Sequence, residues 1–281
     1  MNDKTFPDMN TIDQLLRHSG LPRLEARMLL EAATGYNHAA LLMRGDECLS
    51  ENQAAQWQQL LARRLAGEPM AYILGHREFY GRPFATTPAT LIPRPETEHL
   101  VEAALARLPN NGKVWDLGTG SGAIAVTLAC ERPDATVFAS DISPDALAVA
   151  AANAVELGAK VQFACGSWYQ AFPEEQTGLL DVIVSNPPYI EADDPHLIEG
   201  DLRFEPQNAL TDFADGLSAI RMLAEGAGER LQAGGWLLME HGWNQGAAVR
   251  QILRDNGFSE VATEQDLAGL DRLTLGRWLL A

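Results

Sequence analysis

Cysteine is scarce in this sequence of 281 residues, and no two cysteines have the C-x-x-C spacing. Cys48, Cys130 and Cys165 are an odd number, which argues against a disulfide framework or a zinc site and indicates a reducing compartment. The sequence also lacks an apolar run long enough to span a bilayer, and residues 1–10 lack the apolar core of a signal peptide. We therefore expect a cytoplasmic protein that does not contact a membrane.

Basic residues are outnumbered, because 21 Lys and Arg stand against 38 Asp and Glu and give a net charge of −17. This charge argues against broad electrostatic binding of a phosphate backbone, which needs clustered Lys and Arg. The arginines of the first third of the chain form either a local basic patch or, as we expect, a solvated face; they are Arg63, Arg64, Arg77, Arg82 and Arg94. The histidines of the first hundred residues show no metal-ligand spacing; they are His18, His38, His76 and His99. We expect no direct nucleic-acid partner and no bound metal.

Three segments of the chain differ in their residue pattern. Residues 1–77 contain short amphipathic patterns and a capping-box pattern that begins at Ser50, which predict a small helical bundle. Residues 78–93 include two short extended pieces around Gly81 and predict a linking β-hairpin. Residues 94–281 contain the motifs that indicate chemistry. Because the bundle has no catalytic constellation, we expect it to serve in substrate recognition.

The long third segment alternates predicted strands and helices. This alternation predicts an α/β fold with a mostly parallel, doubly wound, Rossmann-like sheet of seven strands. Pro95 predicts the first turn of the helix that precedes the sheet. Toward the end of the chain, the pattern predicts a helix over residues 219–231 and a strand over residues 236–240.

A glycine-rich turn follows the first predicted strand of the sheet. Its residues are Gly118, Thr119, Gly120, Ser121 and Gly122, and a helical pattern follows at once. Glycines let the backbone approach a ligand, and the start of a helix presents free N–H groups. Asp141 ends the next strand, about 20 residues further on, where a carboxylate usually binds a ribose diol. This combination predicts a cofactor that contains adenosine.

A second motif, Asn186-Pro187-Pro188-Tyr189, ends the β-branched run at residues 182–184. Proline has no N–H for a strand ladder, so the chain continues as a stiff extended edge with unpaired carbonyl groups. The Asn186 side-chain oxygen and the Pro187 carbonyl can accept hydrogen bonds from a planar NH₂ group that lies against Tyr189. The alternative interpretation is a strand followed by an ordinary proline turn.

Parallel strands bring their carboxyl ends to one edge of a sheet, where ligands bind. That edge gathers the glycine-rich turn, Asp141 and Asn186. Trp168 follows the third strand and either covers an adenine ring or anchors its loop. A glycine-rich turn with an acid fits NAD and S-adenosylmethionine alike. The absence of a third glycine at the dinucleotide spacing and the NH₂ acceptors at Asn186 favour S-adenosylmethionine.

Four motifs together resemble the peptide chain release factor glutamine methyltransferases, the PrmC/HemK family. They are Asp-Leu-Gly-Thr-Gly-Ser-Gly, Ser-Asn-Pro-Pro-Tyr-Ile, Phe-Tyr-Gly at residues 79–81, and Leu-Ile-Pro-Arg-Pro-Glu-Thr-Glu at residues 91–98. The last motif is much more specific than Asn-Pro-Pro-Tyr, which DNA adenine methyltransferases share. The resemblance runs nearly end to end and includes the helical N-terminal segment.

This resemblance implies methyl transfer from S-adenosyl-L-methionine, with S-adenosyl-L-homocysteine as product, in an S-adenosylmethionine-dependent methyltransferase fold. The acceptor it implies is N5 of the glutamine in the Gly-Gly-Gln motif of class 1 release factors. The cofactor residues of the family fall on Gly118, Thr119, Gly120, Ser121, Gly122, Asp141, Trp168 and Asn186. Its substrate-amide and catalytic residues fall on Asn186, Pro187, Pro188 and Tyr189.

Three alternatives belong to other functional classes. A DNA adenine-N6 methyltransferase shares Asn-Pro-Pro-Tyr, but this acidic chain lacks a phosphate-binding surface. A non-catalytic adenosyl-binding module does not need the amide-binding edge, and an NAD-dependent oxidoreductase has no use for its acceptors. No dedicated general base stands out. The remaining candidates either border the pocket or, as we expect, are surface loop residues; they are His196, Glu205, Glu240 and His241. The sequence leaves the role of Arg94 open.

Overall fold

The computed structural model describes residues 11–280, and the chain divides into two compact units, Met1–Gly75 and His76–Ala281. The first unit is helical, apart from one isolated bridge between Thr11 and Cys48. Its helices are α1 (Ile12–His18), α2 (Arg23–Thr34), α3 (His38–Met43), α4 (Glu51–Leu65) and α5 (Met70–Leu74).

Side-chain caps and an apolar core explain the helices of the first unit. The predicted capping box at Ser50 is confirmed, because its hydroxyl accepts from the Gln53 N–H and the Gln53 side chain accepts from the Ser50 N–H. Leu29, Leu30 and Trp57 are buried in the core of this unit. Helix α5 was not predicted, because five residues are too few to show helical periodicity.

The second unit begins with an antiparallel hairpin of β1 (His76–Phe79) and β2 (Arg82–Ala85). The two turn residues Tyr80 and Gly81 have φ angles of 52° and 72°, which matches the tight turn that joins twisted antiparallel strands. Phe79 and Phe84 are buried and meet edge to face, with ring centroids 5.9 Å apart. The predicted hairpin around Gly81 is confirmed.

A seven-stranded sheet forms the centre of the second unit, in the order β5-β4-β3-β6-β7-β9-β8. Strands β3 to β7 pair in parallel, and β9 is antiparallel to both of its neighbours, so the predicted mostly parallel sheet is confirmed. The strands are β3 (Lys113–Leu117), β4 (Thr136–Asp141), β5 (Val161–Cys165), β6 (Leu180–Ser185), β7 (Leu231–Glu240), β8 (Ser259–Gln265) and β9 (Asp271–Arg277).

Helices cover both faces of this sheet, as parallel strands require. They are α6 (Thr97–Leu105), α7 (Ala123–Glu131), α8 (Pro144–Glu156), α9 (Glu174–Thr177), α10 (Gln207–Leu210), α11 (Ser218–Ala227) and α12 (Gly246–Asp255). Successive strand residues point to opposite faces. Val114 and Val182 therefore pack in one core with α6 and α7, whereas Trp115 and Ile183 pack in the other core with α11 and α12.

Two predicted boundaries near the sheet are wrong. We expected Pro95 in the first turn of α6, but the helix begins at Thr97. Pro95 lies in a turn before the helix, where the hydrogen bonds join residues three positions apart. Strand β7 begins at Leu231, where we expected a helix to end. Its register against β6 shifts near Gly234 and Gly235, so these glycines form a strand irregularity.

Within residues 11–280, we find no helix that is both long and apolar enough to cross a bilayer. Cys48, Cys130 and Cys165 are free thiols.

The order of the sheet reverses between β3 and β6, since β4 lies on one side of β3 and β6 on the other. Ligands of doubly wound sheets bind at such a switch point, beyond the carboxyl ends of the strands.

Candidate active site

A cavity opens at the carboxyl ends of the central strands. Several of the predicted site residues line it, and these are Gly118, Thr119, Gly120, Ser121, Asp141, Trp168, Asn186 and Pro188. Gly122, Pro187 and Tyr189 lie outside the lining. Thr97, the segment at residues 89–94, and Pro206 and Asn208 at the start of α10 are among the other lining residues. Sequence reasoning did not assign Pro206 or Asn208 to the site.

The glycine-rich turn is held against strand β4. The N–H groups of Gly118 and Thr119 both donate to the Ser140 carbonyl, at 2.9 and 3.0 Å. Gly120 donates to Asp141 Oδ2 at 2.9 Å, and Ser143 donates to Asp141 Oδ1 at the same distance. A carboxylate oxygen can accept more than one hydrogen bond, so Asp141 keeps capacity for a diol at the cavity wall.

Gly122 has a packing role in the structure. It precedes α7 with a φ of 82°, and a Cβ atom there would lie 3.1 Å from the Ala150 Cβ and 3.2 Å from Val126 Cγ2. Only glycine combines this left-handed backbone with so close an approach between α7 and α8. Contact between Gly122 and a cofactor stays a prediction.

Trp168 lies beside the glycine-rich turn. Its ring is 3.5 Å from the position that a Cβ on Gly118 would take. Trp168 has a φ of 43°, an uncommon value for a bulky residue, and begins a short 3₁₀ turn that ends at Gln170. The structure thus brings the Trp168 ring to the cavity that Asp141 and the glycine-rich turn also line.

Asp116 supports the glycine-rich turn from outside the cavity lining, and sequence reasoning gave it no role. It is fully buried at the end of β3, and its Oδ2 accepts from the Thr119 hydroxyl at 2.6 Å and the Ala125 N–H at 3.3 Å. Among residues 11–280, nothing donates to Asp116 Oδ1. Burial raises the pKa of this carboxyl to about 7. An acid that ends an apolar strand just before a glycine-rich turn was the available signal.

The Asn186–Tyr189 segment leaves the sheet at the end of β6. The Ser185 hydroxyl donates to the Leu117 carbonyl at 2.6 Å and so ties this strand end to the glycine-rich turn. The side-chain Nδ2 of Asn186 donates to Thr97 Oγ1 at 3.2 Å. The Tyr189 hydroxyl donates to Glu240 Oε1 at 3.3 Å, so both ends of the segment are held by side chains.

Glu240 is buried behind this segment, and the expectation of a surface position is wrong. It is 2% exposed, and its Oε2 accepts from the Thr97 hydroxyl at 2.7 Å. Burial raises the pKa of Glu240 to about 7, against the opposing effect of the Thr97 hydrogen bond. His241 is fully buried as well, and burial lowers its pKa. Glu240 is the last residue of β7 and His241 follows it directly, and the sequence pattern did not reveal that both are buried.

Glu205 is also buried, contrary to expectation. Its carboxylate accepts from the Ile92 N–H at 3.0 Å and from the Arg94 guanidinium at 2.5 Å. The ion pair between Arg94 and Glu205 therefore joins the segment at residues 89–94 to the segment before α10, and residues of both segments line the cavity. His196 is largely exposed and pairs with Asp194, so the expected surface position of His196 is confirmed.

Sequence comparisons show which proteins this chain resembles. Residues 9–75 match the family model described as PrmC N-terminal domain, and residues 96–199 match the model described as Methyltransferase small domain. A release factor glutamine methyltransferase from Neisseria gonorrhoeae is 62% identical over 270 residues, which cover 96% of this chain and 98% of the relative. Another from Bordetella pertussis is 53% identical over 270 residues, with coverages of 95% and 99%.

A solved structure supports the fold alone. A methyltransferase from Pyrococcus furiosus superposes with a TM-score of 0.56 at 17% identity and covers 79% of this chain and 100% of its own. The predicted S-adenosylmethionine-dependent methyltransferase fold is therefore confirmed. High identity over almost the whole length of both curated relatives also confirms the predicted family. The chain belongs to the release factor glutamine methyltransferase family.

Proposed function

We propose that this chain transfers a methyl group from S-adenosyl-L-methionine to N5 of the glutamine in the Gly-Gly-Gln motif of class 1 release factors. The observation that carries the proposal is the orientation of the Asn186 amide. Thr97 holds its Nδ2 group, so its Oδ1 is the atom that remains for a substrate NH₂. Asn186 lines the cavity that the glycine-rich turn and Asp141 also line.

The acceptor chemistry suits an amide nitrogen. Such a nitrogen is a poor nucleophile, because resonance draws its lone pair into the C–N bond. Asn186 Oδ1 and the Pro187 carbonyl each accept a hydrogen bond from one N–H of the substrate amide. These hydrogen bonds raise the electron density on nitrogen and favour its rehybridisation. In the described part of the chain, no donor occupies either acceptor. Tyr189, held through its hydroxyl, orients the plane of the amide.

The same cavity has the groups that S-adenosylmethionine requires. Asp141 binds the ribose diol, Trp168 covers the adenine ring, and residues 118–121 let the backbone approach the ligand. When bound, the cofactor supplies a methyl group on a cationic sulfonium. Transfer from a sulfonium needs no metal ion, so we propose none.

Most of the remaining rate enhancement comes from alignment. Holding two reactants in a productive geometry is worth roughly 7–11 kcal/mol. The residues of this chain therefore bind and orient the two reactants and exclude water from them. The product S-adenosyl-L-homocysteine leaves the same cavity.

The test is transfer of labelled methyl from S-adenosylmethionine to a purified class 1 release factor. A release factor whose Gly-Gly-Gln glutamine is changed to alanine is the matched control, and duplex DNA is a third acceptor. We expect label on the first protein only. Label on both proteins would place the methyl group on another residue, and label on DNA would favour an adenine-N6 methyltransferase.

We also propose that residues 1–77 recognise the release factor, that residues 78–93 link the domains, and that residues 94–281 carry out the transfer. The net charge of −17 supports a protein partner over nucleic acid, and no membrane is involved in this proposal. Because release factors act in translation, the reaction takes place in the cytoplasm. A chain that lacks residues 1–77 should bind the cofactor normally and lose activity on the release factor. Normal kinetics on the intact release factor would contradict the recognition role.

A further inference from the structure

Three side chains from separate elements meet at the Asn186–Tyr189 segment, which we call the substrate edge, and two of them, Thr97 and Asn186, line the cavity. Thr97 begins α6, Asn186 follows β6, and Glu240 ends β7. Asn186 Nδ2 donates to Thr97 Oγ1 at 3.2 Å, and the Thr97 hydroxyl donates to Glu240 Oε2 at 2.7 Å. The other Glu240 oxygen accepts from the Tyr189 hydroxyl at 3.3 Å.

The direction of these hydrogen bonds decides which end of the Asn186 amide faces the substrate. An asparagine amide presents either an acceptor oxygen or a donor NH₂. A hydroxyl has one proton, and the Thr97 proton is directed to the Glu240 carboxylate. The Thr97 oxygen can then only accept from Asn186, which turns Nδ2 inward and leaves Oδ1 for the incoming amide.

We propose that Thr97 and Glu240 are positioning residues for methyl transfer. Glu240 sets the direction of the Thr97 hydroxyl, and this hydroxyl sets the amide of Asn186 with its oxygen toward the substrate NH₂. Through its second oxygen, Glu240 also holds Tyr189 at the other end of the segment. This inference rests on the proposed function and specifies how its acceptor edge is oriented.

Burial of Glu240 supports a role beyond packing. Removal of a carboxylate from water disfavours its charged form, and apolar residues of similar size often fill such a position at no loss of stability. Arg272 lies near enough to favour the charged form of Glu240, whereas Glu96 disfavours it. A group that only filled space between α6 and β7 would not need a carboxyl there.

The central variants are Thr97→Val, which keeps the shape and removes the hydroxyl, and Thr97→Ser, which keeps the hydroxyl. Thr127→Val is the matched control, because Thr127 is equally buried and its hydroxyl has no partner within residues 11–280. Loss of one buried hydrogen bond at the reacting amide corresponds to roughly a 10- to 100-fold change in rate. We expect Thr97→Val to lower kcat by that factor, with the KM for the release factor and the Kd for S-adenosylmethionine nearly unchanged.

The remaining outcomes separate positioning from a structural effect. We expect Thr97→Ser to restore kcat to within about threefold and Thr127→Val to keep it at the wild-type level. The side-chain NH₂ resonance of Asn186, assigned by its loss in Asn186→Ala, should shift in Thr97→Val and not in Thr127→Val. A wild-type kcat in Thr97→Val, an equal loss in Thr97→Ser, or an unmoved resonance would overturn the inference.

A double-mutant cycle tests whether Glu240 acts through Thr97. Glu240→Leu removes the acceptor, so the two substitutions together should lower kcat no further than the more damaging single change. Additive losses would show that the two residues act independently and would overturn the proposed relay. An inactive wild-type protein would instead refute the proposed function itself, whereas full activity in both the wild type and Thr97→Val refutes only the positioning role.

Discussion

Replacement of Glu240 by glutamine should change how the stability of this protein depends on pH. Burial raises the pKa of Glu240 from its ordinary value of 4.5 to about 7, so the folded state binds this proton more tightly than the unfolded state. Each tenfold difference in proton affinity is worth about 1.4 kcal/mol, and the whole gap therefore corresponds to about 3 kcal/mol.

The sign of the effect follows from proton linkage. Below pH 4.5, both states hold the proton and Glu240 adds no pH dependence. As pH rises from 4.5 to 7, the unfolded state releases the proton first, so the free energy of unfolding of the wild type falls by this amount. Glu240→Gln removes this contribution, and its free energy of unfolding should gain about 3 kcal/mol relative to the wild type between pH 4.5 and pH 8.

Urea unfolding at several pH values, followed by circular dichroism and tryptophan fluorescence, measures this difference. Glu199→Gln is the control, because the same chemical change occurs at an exposed side chain and should leave the pH dependence unaltered. A difference between Glu240→Gln and the wild type that stays constant from pH 4.5 to pH 8 would refute the reasoning. It would mean that the pKa of Glu240 is the same in the folded and unfolded states.

Two further substitutions test the substrate edge. Asn186→Ala removes an acceptor for the substrate NH₂ and should lower kcat by about 10²–10³ with little change in the Kd for S-adenosylmethionine; near-normal turnover would contradict this role. Gly216→Ala introduces a Cβ that would overlap the carbonyl oxygen of Tyr189 and lie 2.8 Å from Gln245 Nε2. It should lower stability and kcat more than Gly81→Ala, since both glycines have a φ of 72° but Gly81 has open space. Thermal unfolding and methyl transfer would measure this, and equal losses would exclude a steric effect on Tyr189.

Local patterns were sufficient to predict most elements and the edge at which the site lies. The capping box at Ser50, the hairpin at Gly81 and the strand that ends before Asn186 depend on neighbours a few residues away. The wrong start of β7 has a non-local cause. Gly234 and Gly235 resemble a turn, but pairing with β6 and β9 carries the strand through them.

The sequence by itself determined the fold class, the family and the strand ends that carry the glycine-rich turn and Asn186. The tertiary structure decided which polar side chains meet. Thr97 lies 143 positions from Glu240 and 89 positions from Asn186, and the packing of α6 against β7 brings them together. Periodicity shows which face of an element a residue occupies and cannot show what the neighbouring element places opposite. For that physical reason, only the tertiary structure shows that Glu240 is buried and accepts hydrogen bonds from Thr97 and Tyr189.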